Sequence, residues 1–474
     1  MTCTLVPVFS LLLAGMLLVL VPGRRRWRRP LAAGIMVLTA AWLVSGWLEG
    51  TAGLPAAGFC RLLQLLVVLG GLGSLLLGED DAVAPGREGL LLLAVAGACL
   101  VAQAGDLLSV AVALFACQLP LWAMAAASGE RGREGALKAL VLGMVALALA
   151  GAGAAIWLAK AGSIRLVDLQ AFLQTGGYDP LGASGLALWL CGMATLLAAV
   201  PVHMWAVDFV EALPRGGAIF LIAGVMPAGV GALARVLLVG FGTVATPASG
   251  APGWGEVLQV GGLVGLLLAG AVALGQQKLR RMFANLVAGQ VGLVMVVLAA
   301  AGFLVASAPQ LAERATGAVV FFLVIHVVTW MGLFLALQLV ESGSDVCDIS
   351  HLHGLAGQRP LLALVVGLAL VCVAGMPPTA GFWARWLLLQ ALVDADLVTT
   401  AVVVALSLGL QLVMSLGLVT AMFRPGGAAL PRKPATAGLL VVAWSVSLAM
   451  ILVGLLPGRL VDLCLGTVSG LLGG

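Results

Sequence analysis

The stretch Gly375-Met-Pro-Pro-Thr-Ala-Gly-Phe-Trp-Ala-Arg-Trp386 decides how the C-terminal half of this chain folds. It interrupts a long apolar segment with two prolines and places one arginine, Arg385, beyond them. Proline removes a backbone donor and clashes with the preceding turn, so the sequence predicts a helix break at Pro377-Pro378. Non-helical backbone at membrane depth persists where protein buries it or where it lines a wet cavity, and an ionisable residue beside it indicates a functional site. The pattern is typical of an ion or proton carrier.

The composition surrounding this stretch is that of an integral membrane protein. Of 474 residues, 62% are hydrophobic and 9% are charged, whereas a soluble domain averages roughly 25% charged residues. The 64 glycines suit close helix packing in lipid. The eight cysteines are scattered, with no CxxC or Cys/His cluster, so we expect neither a disulfide framework nor a metal site. Nothing in the net charge of +4 indicates nucleic acid as a partner, and the predicted surroundings are membrane lipid.

The apolar runs predict an all-α fold with about fourteen transmembrane helices. The basic run at 24–29 flanks the first apolar run and is interpreted as the edge of a membrane span rather than of a signal peptide. Lysine and arginine concentrate in alternate loops, which predicts that both termini lie on the non-cytoplasmic side, in a bacterial inner membrane.

Two spans share a proline interruption. Pro201 lies at the end of the predicted seventh span, and residues 375–381 break the twelfth. Helices five spans apart run in opposite directions, so the pattern predicts two inverted five-helix repeats. The predicted organisation is an N-terminal three-helix segment, two repeats and a C-terminal helix with its tail, at residues 1–78, 89–240, 255–423 and 436–474.

Two cations are candidates for a role in transport. Lys138 opens the sixth predicted span, either as an anchor that extends to the lipid headgroups or as a buried proton relay, and its position favours the anchor. Arg385 keeps its proton in nearly every environment, so it can hold a counter-charge or organise water but cannot shuttle a proton. Its alternative role is to bond the carbonyls that the helix break frees.

Several other polar residues fall inside or beside apolar segments. His326 is either a proton shuttle or a helix–helix hydrogen-bonding residue. The supporting polar candidates are Gln118, Gln290 and His203, and Gln411 is a further neutral residue within a predicted span. The charged residues after the seventh span are interpreted as interface charges, namely Asp208, Glu211 and Arg215. A solvated loop is favoured over a metal site for Asp345, Asp348, His351 and His353.

Three segments together resemble the antiporter-like membrane subunits of respiratory complex I, membrane-bound hydrogenases and Mrp-type cation/proton antiporters. The resemblance runs from about residue 89 to 424. The segments are Val200-Pro-Val-His-Met-Trp205 with Asp208 and Pro214, Lys278-Leu-Arg-Arg281 with Gln290-Val-Gly292, and Arg359-Pro360 with Ala374-Gly-Met-Pro-Pro-Thr-Ala-Gly-Phe382. Length favours the subunit N type of NADH:quinone oxidoreductase, with M-like and MrpD-like relatives.

The resemblance implies a proton path of a glutamate in span five, lysines in spans six to eight, and a lysine or glutamate in span twelve. Carried over by position, three of these places hold apolar residues: Phe115, Leu196 and Met226. The residues retained on the implied path are Lys138, His326 and Arg385, and the helix breaks lie at Pro201, Pro377 and Pro378. Phenylalanine, leucine and methionine cannot titrate, so we expect a weakened or lost proton channel.

The function that the resemblance implies is that of an antiporter-like membrane subunit of a complex I-like NADH (or other donor):quinone oxidoreductase, acting partly as a structural subunit. The alternatives are an Mrp-type cation/proton antiporter subunit, a membrane subunit of a membrane-bound hydrogenase, and a purely structural scaffold. No nucleotide-binding fingerprint or cofactor cluster occurs in the sequence, so we expect a non-catalytic subunit. NADH, quinone, FMN and iron–sulfur clusters are then expected in partner subunits, beside other membrane subunits of the assembly.

Overall fold

The computed structural model describes residues 2–20, 25–48, 55–77, 86–246, 253–340, 348–425 and 437–469. Within these ranges the chain is all-helical, with two isolated bridges, Asp106–Arg165 and Lys278–Asp348, in place of any strand. The predicted fold class is therefore confirmed at the level of an all-α membrane protein.

The described residues of the first half of the chain form eleven α-helices, of which the short ones follow breaks or lie between spans. They are α1 Thr2–Leu20, α2 Arg25–Leu48, α3 Pro55–Leu77, α4 Arg87–Gln103, α5 Leu107–Ala126, α6 Glu130–Ala161, α7 Leu166–Gln174, α8 Pro180–Leu196, α9 Met204–Ala212, α10 Arg215–Phe220 and α11 Met226–Arg235. Two π-helical segments, Leu221–Val225 and Val236–Gly240, make α10 and α11 parts of one long helix at 215–240.

The described residues of the second half form nine α-helices. They are α12 Trp254–Leu274, α13 Leu279–Leu304, α14 Pro309–Val340, α15 Leu355–Gln358, α16 Pro360–Ala374, α17 Ala380–Asp394, α18 Val398–Ala421, α19 Ala437–Leu455 and α20 Gly458–Val468. Short 3₁₀ turns cover Gly242–Val244 and Ile349–Leu352.

In the described part of the chain, nine helices are long and apolar enough to cross a membrane, or ten when α19 and α20 are counted as one bent pair. Three further apolar helices are shorter: Leu5–Leu20, Pro180–Leu196 and Pro360–Ala374. The 215–240 helix, α13 and α14 are largely buried and form the centre, whereas α6, α12 and α18 present most of their surface to the outside. The chain is a multi-pass membrane protein.

Both proline segments interrupt helices. Helix α16 ends at Ala374, the backbone at Gly375 has φ 77°, and α17 begins at Ala380. A positive φ favours glycine because it has no Cβ. Likewise α8 ends at Leu196 and α9 begins at Met204, so the chain leaves the helical conformation on both sides of Pro201.

Helix α19 covers the second break from one side. The indole Nε1 of Trp383, in α17, donates to the Gly454 carbonyl of α19 at 2.8 Å. A Cβ atom at Gly454 would lie 1.9 Å from the Pro378 carbonyl oxygen, so the two backbones touch. Protein therefore covers this non-helical backbone on the side of α19, whereas Pro377 and Pro378 themselves are exposed.

Several short helices were not predicted from the sequence, among them α7 and α20. Helix α7 has nine residues, and α20 has eleven and bends 83° away from α19. Neither provides the uninterrupted apolar run of about 18 residues on which span prediction depends. The bend places α20 nearly perpendicular to a membrane-crossing helix, which is the orientation of an interfacial helix.

The contact between α19 and the break predicts a stability difference between two glycine-to-alanine variants. Gly454→Ala should lower stability by about 1–3 kcal/mol, because the added Cβ overpacks against the Pro378 carbonyl. The matched control is Gly466→Ala in α20, where a Cβ meets nothing within 4 Å. The control should be neutral or stabilising by up to about 1 kcal/mol. Thermal unfolding in detergent measures both, and equal midpoints for the two variants would contradict the contact.

Candidate functional site

The site begins with a carbonyl that the 215–240 helix cannot bond. In the π-helical turn, the Met226 N–H donates to the Leu221 carbonyl rather than to that of Ile222. Pro227 follows and has no N–H to donate. The Ile222 carbonyl is instead bonded by His326 of α14, whose Nε2 lies 3.0 Å from it. Single-turn π-segments occur frequently at functional sites.

The other ring nitrogen of His326 also faces an acceptor. Its Nδ1 lies 2.9 Å from Oε1 of Gln290, in α13. The same oxygen accepts from the indole N–H of Trp330 at 3.1 Å, and because an indole can only donate, this contact fixes which end of the amide faces the histidine. A neutral imidazole donates to one of its two acceptors, whereas an imidazolium donates to both. Both ring nitrogens of His326 therefore face acceptors, a geometry that only an imidazolium satisfies in full.

Arg385 lies at the second helix break and bonds only to backbone in the described structure. Its Nη1 donates to the Cys372 carbonyl at 3.3 Å and the Gly381 carbonyl at 3.4 Å, and its Nη2 donates to the Val373 carbonyl. The side chain is 6% exposed. These contacts match the alternative in which the arginine bonds carbonyls freed by the break.

His326 and Arg385 line one small cavity. It has a volume of about 10 Å³ and is also bordered by Gln290, Thr329 and Trp330. A cavity of this size holds roughly one water molecule. The structure therefore brings together three of the residues proposed from the sequence, Gln290, His326 and Arg385, whereas Lys138 is not part of the lining.

The apolar positions of the first half pack tightly. Leu196 and Met226 are 3% and 5% exposed, and Phe115 makes an edge-to-face contact with Trp122 at 5.2 Å between ring centroids. Gln118, one helical turn after Phe115, donates its amide N–H to the Leu196 carbonyl at 3.0 Å. That carbonyl ends α8, so Gln118 satisfies the first helix break in the way that Arg385 satisfies the second.

His203 connects the first break to the second half. Its Nε2 lies 3.3 Å from Oδ1 of Asn285, and the Asn285 amide donates to the Arg281 carbonyl at 2.8 Å within α13. His203 is buried just before α9 begins. It therefore fixes the N-terminal end of α9 against α13.

Lys138 takes part in a surface ion pair. Its Nζ lies 2.6 Å from Glu134 and 3.7 Å from Asp208, and 49% of its side chain is exposed. Such exposure favours the interpretation as a surface anchor over that as a buried proton relay.

Arg281 forms ion pairs that connect the first half of the chain with the second half. It pairs with Asp208 at 3.1 Å and with Glu211 at 2.8 Å, and Glu211 also pairs with Lys278. The acids belong to α9, and the cations lie at the start of α13 or immediately before it. With His203 at its other end, α9 is thus fixed to α13 at both ends.

Electrostatics at Glu211 favours its ionised form. Partial burial alone would raise the pKa of Glu211, but hydrogen bonds from Lys278 and Arg281 outweigh that effect and hold the pKa below its ordinary value. Because the pKa in the folded state is depressed, the stabilisation is present above the ordinary glutamate pKa and is lost as the pH falls through the folded-state pKa.

Arg235 is a buried cation that the sequence interpretation missed. It is 7% exposed, and its guanidinium donates to the carbonyls of Ala102, at 3.0 Å, and of Ala104. These carbonyls lie at the C-terminal end of α4, where a helix has unbonded acceptors and partial negative charge. Arg235 lies within a predicted apolar span and was not singled out from the sequence, and only the neighbouring helix end explains its burial.

The described residues contain no group of three or more potential metal ligands. His351 instead completes a capping box with Asp348, whose backbone N–H donates to its Nδ1 at 3.0 Å. Asp345 lies outside the described residues.

Comparison with known proteins identifies relatives over most of the chain. A sequence profile of the family described as "NADH:quinone oxidoreductase/Mrp antiporter, TM" matches residues 104–410. Subunit N of NADH-quinone oxidoreductase from Gemmatimonas aurantiaca is 30% identical over 443 residues, covering 89% of this chain and 82% of that protein. Subunit N 1 from Sorangium cellulosum is 31% identical over 374 residues, covering 77% and 72%.

Solved structures share the fold. A chain of respiratory complex I from Thermus thermophilus superposes with a TM-score of 0.81 at 27% identity, covering 97% of this chain and 98% of that one. A chain of the Mrp complex from Dietzia superposes with a TM-score of 0.84 at 21% identity, covering 99% and 97%, and this likeness concerns the fold alone.

The pairing of Glu211 predicts a pH-dependent effect of its replacement. Glu211→Gln should lower stability by about 1 kcal/mol at pH 7, a modest value because the pair is partly exposed. The difference from the unmodified protein should shrink as the pH falls below the ordinary glutamate pKa of about 4.3, and should vanish once the pH has passed through the depressed folded-state pKa. Thermal unfolding midpoints in detergent from pH 3 to 8 measure this difference.

The control is Glu130→Gln, which removes an exposed carboxylate at the start of α6. It should change the midpoint little at any pH. A Glu211→Gln deficit that stays constant down to pH 3 would contradict the ionic origin of the stabilisation.

Proposed function

The chain belongs to the NADH:quinone oxidoreductase/Mrp antiporter family, and we propose that it is the antiporter-like membrane subunit of a complex I-like NADH (or other donor):quinone oxidoreductase. Its subunit N relatives and its likeness to a complex I chain at 27% identity support this assignment. Its partners are then other membrane subunits of the assembly. The redox step belongs to subunits that carry NADH, FMN, quinone and iron–sulfur clusters, and this chain is a non-catalytic membrane subunit.

The observation that carries the mechanistic part of the proposal is the position of His326 between two acceptors. Proton translocation needs a group that gains and releases a proton within the protein, and an imidazole bordered by Ile222 O and Gln290 Oε1 fulfils this requirement. Arg385, on the same cavity, supplies a fixed positive charge that disfavours a second cation beside it. The second half of the chain is thus the half that retains proton-binding chemistry.

The first half retains a structural role. Leu196 and Met226 are buried, and Phe115 packs on Trp122, so these positions offer neither a titratable group nor space lined by polar atoms. Lys138 acts as a surface anchor in the ion pairs with Glu134 and Asp208. Proton translocation by this subunit is therefore weakened, and the first half serves mainly to position neighbouring helices.

The finer architecture belongs to the same proposal. The chain forms about fourteen transmembrane helices, with inverted five-helix repeats at 89–240 and 255–423, an N-terminal segment at 1–78 and a C-terminal segment at 436–474. The two proline breaks support the repeats. Alternating loop charge supports a bacterial inner membrane location with both termini on the non-cytoplasmic side.

An Mrp-type cation/proton antiporter subunit is the alternative, and the similarity of fold to the Mrp complex chain supports it. A transported cation needs carboxylate or carbonyl ligands, and the position expected for an acid in the first half holds Phe115. The absent carboxylate makes the quinone oxidoreductase assignment the stronger of the two.

The role of His326 predicts a selective loss of proton translocation. His326→Gln keeps an N–H that can bond the Ile222 carbonyl but removes the group that binds a proton. We expect the assembled complex to keep its electron transfer while translocating fewer protons per electron. The measurement is the proton-to-electron ratio of the complex, purified through this chain and reconstituted in vesicles.

Phe115→Leu is the control, since it changes a position where no proton passes in this proposal. It should leave the ratio unchanged. An unchanged ratio in His326→Gln would show that the subunit is a scaffold, and failure to copurify any redox subunit would overturn the assignment to the complex.

A further inference from the structure

A second cavity lies apart from the site described above. It has a volume of about 180 Å³ and lies where the start of α14, the end of α17 and helix α20 meet. Its lining includes two residues of opposite charge, Arg314 and Asp394, on otherwise largely apolar walls. Neither residue belongs to the proton site or to the ion pairs between α9 and α13.

The helix lengths place this cavity at the membrane surface. Helix α14 has 32 residues, which span about 48 Å at 1.5 Å per residue, whereas the hydrocarbon core is about 30 Å thick. Arg314 lies in the second turn of α14, and Asp394 is the last residue of α17. Helix α20 bends 83° from α19 and so runs along the membrane surface above both ends.

The cavity is polar at its outer end and apolar at its inner end. Helix α14 runs inward from Arg314 to Ala318, and α17 runs outward from Leu387 to Asp394, so Ala318 and Leu387 lie deeper than the charges. Val461 of α20 lines the side wall. One leaflet of a lipid bilayer has the same order, with polar headgroups outside and acyl chains inside.

The two charges have no ionic partner within the described chain. Neither Arg314 nor Asp394 lies within 4.0 Å of an oppositely charged group among the described residues, including each other. A guanidinium prefers a phosphate, with which it forms paired charge-assisted hydrogen bonds, and a carboxylate prefers an ammonium. A ligand that carries both groups on an apolar stem fits the cavity better than a ligand with one charge.

We propose that this cavity binds one phospholipid with a zwitterionic, ammonium-bearing headgroup. The phosphate lies against Arg314 and the ammonium against Asp394, while the first part of an acyl chain packs on Ala318 and Leu387. Small side chains, including Ala391, leave the space that the glycerol region occupies. The bound lipid fixes α20 to the ends of α14 and α17.

The test is lipid retention by the native assembly, purified through this chain and placed in nanodiscs of equal phosphatidylethanolamine and phosphatidylglycerol. Native mass spectrometry should show preferential retention of phosphatidylethanolamine. Arg314→Gln should weaken retention about tenfold, the scale for loss of one charge-assisted hydrogen bond. Ala391→Leu should give a similar loss by filling the cavity, and Asp394→Asn should remove the preference between the two lipids.

The matched control is Arg459→Gln, which removes an exposed cation of α20 outside the cavity and should leave retention unchanged. Equal retention by the unmodified protein and by Arg314→Gln or Ala391→Leu would overturn the proposal. Equal retention of the two lipids by the unmodified protein would overturn it as well, as would a neighbouring subunit labelled by a photocrosslinker at residue 391. Proton translocation is not a readout, so the result is independent of the proposed function.

Discussion

The structure depends on one constraint: in lipid, each backbone N–H and C=O must find its partner within the protein. At four places where a helix of the described structure ends or changes pitch, a side chain from another helix bonds a carbonyl that the helix leaves free. The four such pairs are Gln118 with Leu196 O, Arg235 with Ala102 O, His326 with Ile222 O, and Arg385 with Val373 O. Buried polar residues that resemble channel components therefore also complete the backbone bonding of the fold.

The same constraint explains which polar residues the chain keeps. A buried group that also bonds the backbone cannot be lost without leaving a carbonyl unpaired, at a cost of about 1–3 kcal/mol. Phe115, Leu196 and Met226 stand at positions where the resemblance implies titratable groups, and their side chains satisfy no backbone acceptor. A titratable group at these positions would carry the free-energy cost of burying a charge. It would have no backbone-bonding role to offset that cost, only a role in transport.

The sequence predicted the elements whose cause is local. Two prolines and a glycine predicted the break before Arg385, and the apolar runs predicted a membrane protein. It did not predict α20, whose short amphipathic pattern lacks a membrane-length run, or the π-helical turn before Pro227, which depends on a donor from α14. Gln290 and His326 lie 36 positions apart in sequence, on α13 and α14, so their pairing likewise follows from tertiary packing rather than from any local pattern.

In the proposed function, His326 both bonds the backbone and carries the proton. A neutral imidazole has one N–H, so it bonds either the Ile222 carbonyl or Gln290 Oε1 and leaves the other acceptor without this donor. Trp330 still donates to the Gln290 oxygen in either case, whereas the Met226 N–H donates to the Leu221 carbonyl and Pro227 has no N–H to offer the Ile222 carbonyl. The neutral histidine is therefore best placed with its proton on Nε2, and an added proton goes to Nδ1, facing Gln290. The backbone of the 215–240 helix thus selects which nitrogen remains free to take up a proton.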